Sequence, residues 1–153
     1  MKKEQTNFSL LTDKLPEELR ANYKINRKNS PVIELLKVAA ALKLWGDRGY
    51  REIGFEVPLI FGGKTVSIKV LAHDAEGGVV GVECVSSVNL GWLGGRVAGL
   101  RCCLPSGSWL VVVFPSGVDE RVREVVELAD EVWVTGKGGT VEQMMFMSFF
   151  HKE

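Results

Sequence analysis

Histidine and cysteine are scarce in this chain, and no long apolar run interrupts it. The two histidines, His73 and His151, lie far apart, and neither has the i, i+4 histidine partner of a helical metal site. The three cysteines, two of them adjacent at Cys102 and Cys103, make neither a disulfide framework nor the paired C-x2-C spacing of a zinc site. They read as buried, reduced thiols. No segment approaches the roughly 20 apolar residues of a membrane span, and no apolar signal core follows Met1-Lys2-Lys3, so the expectation is a cytoplasmic protein with no membrane partner. No serine has a plausible His–acid partner set, so a hydrolase triad has no support. Gly136-Lys137-Gly138-Gly139-Thr140 lacks the G-x4-G-K-[ST] spacing of a phosphate loop, and the stretch from Gly91 to Gly99 holds no G-x-G-x-x-G after a strand.

What remains is an ordinary globular composition, with 153 residues and zero net charge, enough for one domain with one core. The charge is uneven. Residues 1–30 carry seven basic and four acidic side chains, whereas residues 31–153 carry twelve and fifteen. Residues 1–30 therefore read as a polar, loosely organised basic arm, with Lys24, Arg27 and Lys28 available to neutralise phosphates.

Local pattern sets the order of elements. Pro16-Glu17-Glu18 suits the start of a short helix. Ser30 is placed to cap a helix over 31–48, in which Val32, Leu35, Leu36, Ala39, Leu42 and Trp45 recur at three- and four-residue spacing. Gly49 is placed to end it. Strands are predicted at 51–59, 65–73 and 79–85. In the second, Val66, Ile68, Val70 and Ala72 take one face, and Ser67, Lys69, Leu71 and His73 the other. Residues 74–78 are a turn by composition, which makes strands 65–73 and 79–85 an antiparallel hairpin. A glycine-rich helix over 89–103 follows, for which Ser86 and Ser87 are candidate caps. The run 109–114 reads as a strand buried on both faces. An amphipathic helix over 118–129 and a strand over 131–135 come next. The apolar, Met-rich segment 141–150 reads as a short helix or an exposed tail. Of the tryptophans, Trp45, Trp109 and Trp133 fit core positions, while Trp92 sits where a base-stacking platform is conceivable.

Over residues 31–135 this pattern resembles the PD-(D/E)XK nuclease superfamily. The resemblance is carried by Gly49-Tyr50 at the helix end, the strand Ile53-Gly54-Phe55-Glu56-Val57-Pro58, and a hairpin reading Ile68-Lys69-Val70-Leu71-Ala72-His73-Asp74 and then Val80-Gly81-Val82-Glu83-Cys84-Val85. It implies a single three-layer α/β domain, restriction-endonuclease-like, with a mixed central sheet flanked by helices. Glu83 matches the acidic residue of the family's E-x-K element, and Glu34 can match an auxiliary acid in the first helix. The metal-binding aspartate of the family falls on Lys69, and the family lysine falls on Val85. An ammonium cannot ligate Mg²⁺, which needs hard oxygen donors, and valine cannot stabilise developing negative charge.

If residues 74–78 form the hairpin loop, His73 pairs with Val79 and Lys69 lies across from Glu83, an ion pair in place of a metal site. The resulting expectation is a nucleic-acid-associated protein that binds without cutting and needs no cofactor or metal. Lys69, Arg96, Arg101 and the arm residues Lys24, Arg27 and Lys28 would meet phosphates. The first alternative is an active Mg²⁺ nuclease using Glu34, Asp74 and Glu83. The second is an assembly subunit, a homodimer or a protein partner engaging through Met144, Met145, Phe146, Phe149 and Phe150. The domain division is 1–30 arm, 31–140 α/β domain and 141–153 apolar C-terminal segment.

Overall fold

A computed structural model describes residues 12–117, 122–137 and 148–151. Its elements are α1 (Glu17–Asn22), α2 (Pro31–Gly46), β1 (Glu52–Phe61), β2 (Lys64–His73), β3 (Val79–Cys84), α3 (Leu90–Cys103), β4 (Trp109–Phe114), α4 (Val122–Val126), β5 (Glu131–Val134) and β6 (Ser148–His151). The strands make one mixed sheet in the order β1-β2-β3-β4-β5-β6. β1, β2 and β3 form an antiparallel meander, β3, β4 and β5 run parallel, and β6 returns antiparallel to β5. Helices cover both faces, so the three-layer α/β architecture with a mixed sheet is present.

Two apolar clusters account for the layers. On one face, Leu36, Ala39, Ala40 and Leu44 of α2 pack on Ile53, Phe55, Val70, Ala72, Val82, Val111, Val113 and Trp133. On the other, Leu93, Val97 and Leu100 of α3 and Val125 of α4 pack on Leu71, Leu110, Val112, Phe114, Val132 and Val134. β4 supplies alternate residues to both clusters, which is why it is apolar throughout. Burial of such side chains contributes about 1.5–3 kcal/mol each.

The ends of α2 follow local rules. The Ser30 hydroxyl accepts from Ile33 N at 3.4 Å with Pro31 in the first turn, and Gly49 takes the left-handed φ of 75° just past the helix. Gly62 and Gly63, both at positive φ, make the two-residue connection from β1 to β2 that suits strand twist. Asp74 Oδ1 accepts from Glu76 N at 2.9 Å and Gly78 N at 2.7 Å, closing the β2–β3 turn. This turn sets His73 opposite Val79 and Val70 opposite Val82, the register expected for a five-residue loop.

Several expectations need correction. Residues 12–30 are not merely a loose arm, because Leu15 and Leu19 are buried in the α2-side cluster. The face assignment of β2 fails at its middle: Val70 and Ala72 pack on the α2 side, but Ile68 and Val66 pack on the α3 side. β1 does the same, with Ile53 and Phe55 on the first side and Val57 on the second. The switch falls at Glu56 and Lys69, where the ladder is interrupted between Phe55↔Val70 and Val57↔Ile68. Glu56 there adopts φ 47°, uncommon for a residue with a side chain. Strict alternation holds only for an unbroken pleat. The helix expected over 118–129 ends at Val126, and residues 118–121 lie outside the described part. Ser148–His151 is a strand rather than a helix or tail, held by its pairing with β5, and residues 138–147 lie outside the description. Cys84 is buried, but Cys102 is exposed and Cys103 half-buried, all three free. Trp92 and Trp109 are also exposed, while Trp133 is fully buried. No helix among the described residues is long and apolar enough to cross a membrane.

At the start of β5, Glu131 is buried and accepts from Arg48 Nη2 at 2.6 Å, from Trp109 Nε1 at 3.2 Å and from Trp133 Nε1. Burial opposes its ionisation, but the Arg48 and Trp133 hydrogen bonds outweigh this and hold the carboxyl below its ordinary value of 4.5. A lowered folded-state pKa contributes stability above the unfolded value that is lost as pH falls through the folded one. Glu131→Gln should therefore cost about 1 kcal/mol at neutral pH and flatten the decline in stability below about pH 4.5. Urea denaturation at stepped pH measures both; an unchanged acid slope would contradict this account.

Candidate functional site

The most polar part of the interior lies where the N-terminal end of α2 meets the middle of β1 and β2. Capping by Ser30 puts Glu34 in the first turn of α2 and Lys37 one turn further on, on the same helix face. Lys37 is fully buried. Its Nζ donates to Lys24 O at 2.8 Å and to Glu34 Oε1 and Oε2 at 3.1 and 3.0 Å, and it lies 3.0 Å from Glu56 Oε2. Glu34 also accepts from Tyr23 Oη at 2.6 Å and Asn29 Nδ2 at 2.7 Å. Burial, and then the Glu34 carboxylate, push the Tyr23 hydroxyl well above its ordinary pKa. Glu56 accepts from Asn26 Nδ2 at 2.9 Å. Burial opposes its ionisation, but the Asn26 bond and the Lys37 charge outweigh that and hold it below the usual carboxylate value, with Lys69 adding to the effect.

A second cluster lies at the far end of β3. Asn89 caps α3 by accepting from Trp92 N at 3.2 Å. Arg96, on the sheet-facing side of that helix, places Nε 2.5 Å from Glu83 Oε2 and Nη2 2.5 Å from Ser67 O. Glu83 is buried. Its Oε1 accepts from Cys84 N at 3.0 Å, and Lys69 Nζ lies 4.0 Å from it. Burial, and then the neighbouring Glu83 charge, push the Cys84 thiol well above its ordinary pKa. Lys69 thus stands between the two clusters, acting on Glu83 by proximity and on Glu56 by its field.

Both clusters border an open cleft of about 660 Å³. One wall is Lys28, Asn29, Ser30 and Ile33; the floor is Ser67, Lys69 and the end of β3 from Glu83 to Ser87; the other wall is Asn89, Trp92 and Arg96. The first turns of α2 and α3 both border it, and their helix dipoles favour negative charge there, with Ile33 N and Trp92 N already taken by the Ser30 and Asn89 caps. Lys28, Lys69 and Arg96 against Glu83 leave an excess of two positive charges in its lining. The cleft lies beyond the C-terminal end of β3, a usual ligand position in α/β sheets.

Of the residues nominated from sequence, Lys28, Lys69, Arg96 and Glu83 meet at this cleft. Lys24 and Arg27 are exposed outside its lining, although the Lys24 carbonyl holds Lys37. Arg101 lies towards the opposite end of α3, 3.2 Å from Asp130 Oδ2 and bonded to Leu128 O, away from the cleft. Asp74 closes the β2–β3 turn, and the four steps from Val79 to Glu83 along β3 carry Glu83 about 13 Å from that end of the hairpin. Ser86 and Ser87 line the cleft, while Asn89 provides the cap. Met144, Met145 and Phe146 lie outside the described residues; the backbones of Phe149 and Phe150 pair with Trp133 and Val132. Sequence reasoning overlooked Lys37, Glu56, Asn26 and Asn29, whose partners are mostly distant in the chain. The one local signal was the i, i+3 spacing of Glu34 and Lys37.

The residues present do not make a cage for the Mg²⁺ that the nuclease resemblance implies. Glu34 and Glu56 are both committed to Lys37, Glu83 is committed to Arg96 with Lys69 beside it, and Asp74 is remote. Among the described residues no three His, Cys, Asp or Glu side chains are grouped to hold a metal ion.

No family model matches this chain, and no curated protein matches it in sequence. Solved structures do. A crystal structure of an XisH family protein from Nostoc punctiforme superposes with a TM-score of 0.53 at 18% identity, covering 76% of this chain and 99% of that one. An fdxN element excision controlling factor protein from Anabaena variabilis superposes with a TM-score of 0.53 at 16% identity, covering 76% and 98%. At such identities the likeness is one of fold.

The geometry around Lys37 makes a direct prediction. Removing one member of a buried ion network leaves uncompensated charge and costs about 3–5 kcal/mol. Lys37→Met should lower stability by that amount at neutral pH, and adding Glu34→Gln should restore part of it. Urea denaturation of the two variants tests this; a single variant within 1 kcal/mol of the native chain would show that the network carries no such weight.

Proposed function

We propose that the cleft between the N-terminal ends of α2 and α3 binds the phosphate backbone of a nucleic acid without cleaving it. The observation that carries this reading is the composition of the cleft. Lys28, Lys69 and Arg96 line it together with the first turns of two helices, and its single carboxylate, Glu83, is already bound to Arg96. Ammonium and guanidinium groups and backbone N–H donors are what phosphate oxygens need. Metal-assisted hydrolysis needs the reverse, carboxylates free to hold a cation that activates water.

The resemblance of residues 31–135 to the PD-(D/E)XK nucleases supports a nucleic-acid scaffold, as does the shared fold with an XisH family protein. One structural neighbour is named for control of element excision. On this reading Glu83 positions Arg96, and Lys69 occupies the place of a metal-binding aspartate with a charge of opposite sign. The reaction is then lost while attraction for the backbone remains.

Fluorescence anisotropy with labelled oligonucleotides across a salt series should show affinity falling as salt rises. Replacing Lys28 and Lys69 by alanine should weaken binding across sequences, each change making the log–log salt dependence shallower by about one. Salt-independent affinity would overturn phosphate binding. Metal-dependent plasmid cleavage that disappears in Glu83→Ala would overturn the claim that the site does not cut.

A further inference from the structure

We infer that the cleft selects single-stranded nucleic acid, with one unpaired base stacked on Trp92 while the adjoining phosphates meet Lys28 and Lys69. The inference rests on the reading of the cleft as a phosphate site and specifies which form of nucleic acid enters it.

Three features of the site converge on a single strand. The first is Trp92 itself. It stands in the first turn of α3 with its residue 55% exposed, although indole is among the side chains most favoured by burial. The Asn89 carboxamide fixes its backbone through the Trp92 N–H, so the ring is presented from a capped helix. An exposed aromatic beside a cationic groove is the platform on which unpaired bases stack without regard to sequence.

The second feature is the amount of charge. Duplex binders commonly neutralise about 6–10 phosphates. Here the lining carries an excess of two positive charges, because Arg96 is spent on Glu83 and Ser67 O. Residues 31–153 as a whole carry more acidic than basic side chains, so that part of the chain adds no net positive charge to the lining. Two phosphates match the charge of the cleft.

The third feature is shape. About 660 Å³, bounded by two helix ends, accommodates a flexible backbone and a splayed base better than the rigid cylinder of a duplex. Ser86 and Ser87 on the floor supply hydroxyls for sugar or phosphate oxygens. Stacking and backbone contact are available from DNA and RNA alike.

The test uses the full chain with labelled oligothymidylate, oligouridylate and a duplex of equal length. Single strands should bind more tightly than the duplex. Two phosphate contacts on a single strand imply a log–log salt slope of about −1.4, an approximately sevenfold loss of affinity between about 50 and 200 mM salt. Trp92→Ala should weaken single-strand binding roughly ten- to hundredfold, and Trp92→Phe should largely retain it. Trp92 is at the surface, so both variants should keep the native unfolding midpoint. Tight binding of either single strand with this Trp92 dependence supports the inference, and the tighter one names the sugar. Single-strand affinity unchanged in Trp92→Ala, or a duplex bound as tightly as the single strands, overturns the inference but leaves the phosphate site standing. Absence of binding to all three probes at low salt overturns both.

Discussion

The Lys37 ammonium is the interaction on which the wall of the cleft depends. It is taken wholly out of water, which costs several kcal/mol for an isolated ion. That cost is met because its surroundings are nearly all acceptors: the Lys24 carbonyl, both Glu34 oxygens and one Glu56 oxygen. Each acceptor comes from a different stretch of chain. Lys24 belongs to the segment between α1 and α2, Glu34 to α2, and Glu56 to the middle of β1. The ion therefore fastens the N-terminal segment, the first turn of a helix and the edge of the sheet to one point. Tyr23, Asn26 and Asn29 satisfy the remaining carboxylate oxygens, which gives polar segment 23–29 a fixed course and presents Lys28 at the cleft.

Glu56 links that network to the architecture of the sheet. Its left-handed backbone coincides with the place where β1 and β2 exchange faces. Without the exchange, Ile68 would remain with Val70 and Ala72 on the α2 side. With it, Ile68 joins the α3-side cluster, beside Gly81, where a Cβ would stand 2.6 Å from Ile68 Cδ1. Strained positions persist where surrounding structure over-determines them. Here the determinants are the Lys37 pair, the Asn26 bond and the packing of Ile68 in its new layer. The same irregularity sets Lys69 between Glu56 and Glu83, so the exchange of faces in β1 and β2 and the polarity of the cleft have one origin.

This origin also explains how much was legible from sequence. α2, β2, β3 and β4 follow from caps, turn chemistry and periodicity, all local in the chain, and the five-residue loop was enough to set the hairpin register. The same arithmetic brought Lys69 across from Glu83. It could not supply Arg96 as the closer partner, because that contact depends on how α3 lies over the sheet, and a helix pattern gives a face without an address. Lys37 read as an ordinary helix-former. Its burial follows from Glu56, whose inward course follows in turn from a backbone conformation that no periodicity encodes. The C-terminal strand was missed for a related reason: four residues gain their strand character only from pairing with β5.

The two networks bear differently on what the cleft can hold. Glu34 and Glu56 with Lys37, and Glu83 with Lys69 and Arg96, contain three carboxylates and three cations. A site that matched a divalent cation would leave an excess of negative charge for the ion to neutralise. The two networks taken together are already neutral without a ligand, and Glu83 lies deeper than Lys69 and Arg96. In the lining of the cleft itself, Lys28, Lys69 and Arg96 stand against Glu83 alone, so an excess of two positive charges remains at the mouth. Where the nuclease resemblance would ask for a carboxylate cage, this chain sets Lys69 and Arg96 against Glu83, an arrangement that repels a metal ion and attracts an anion.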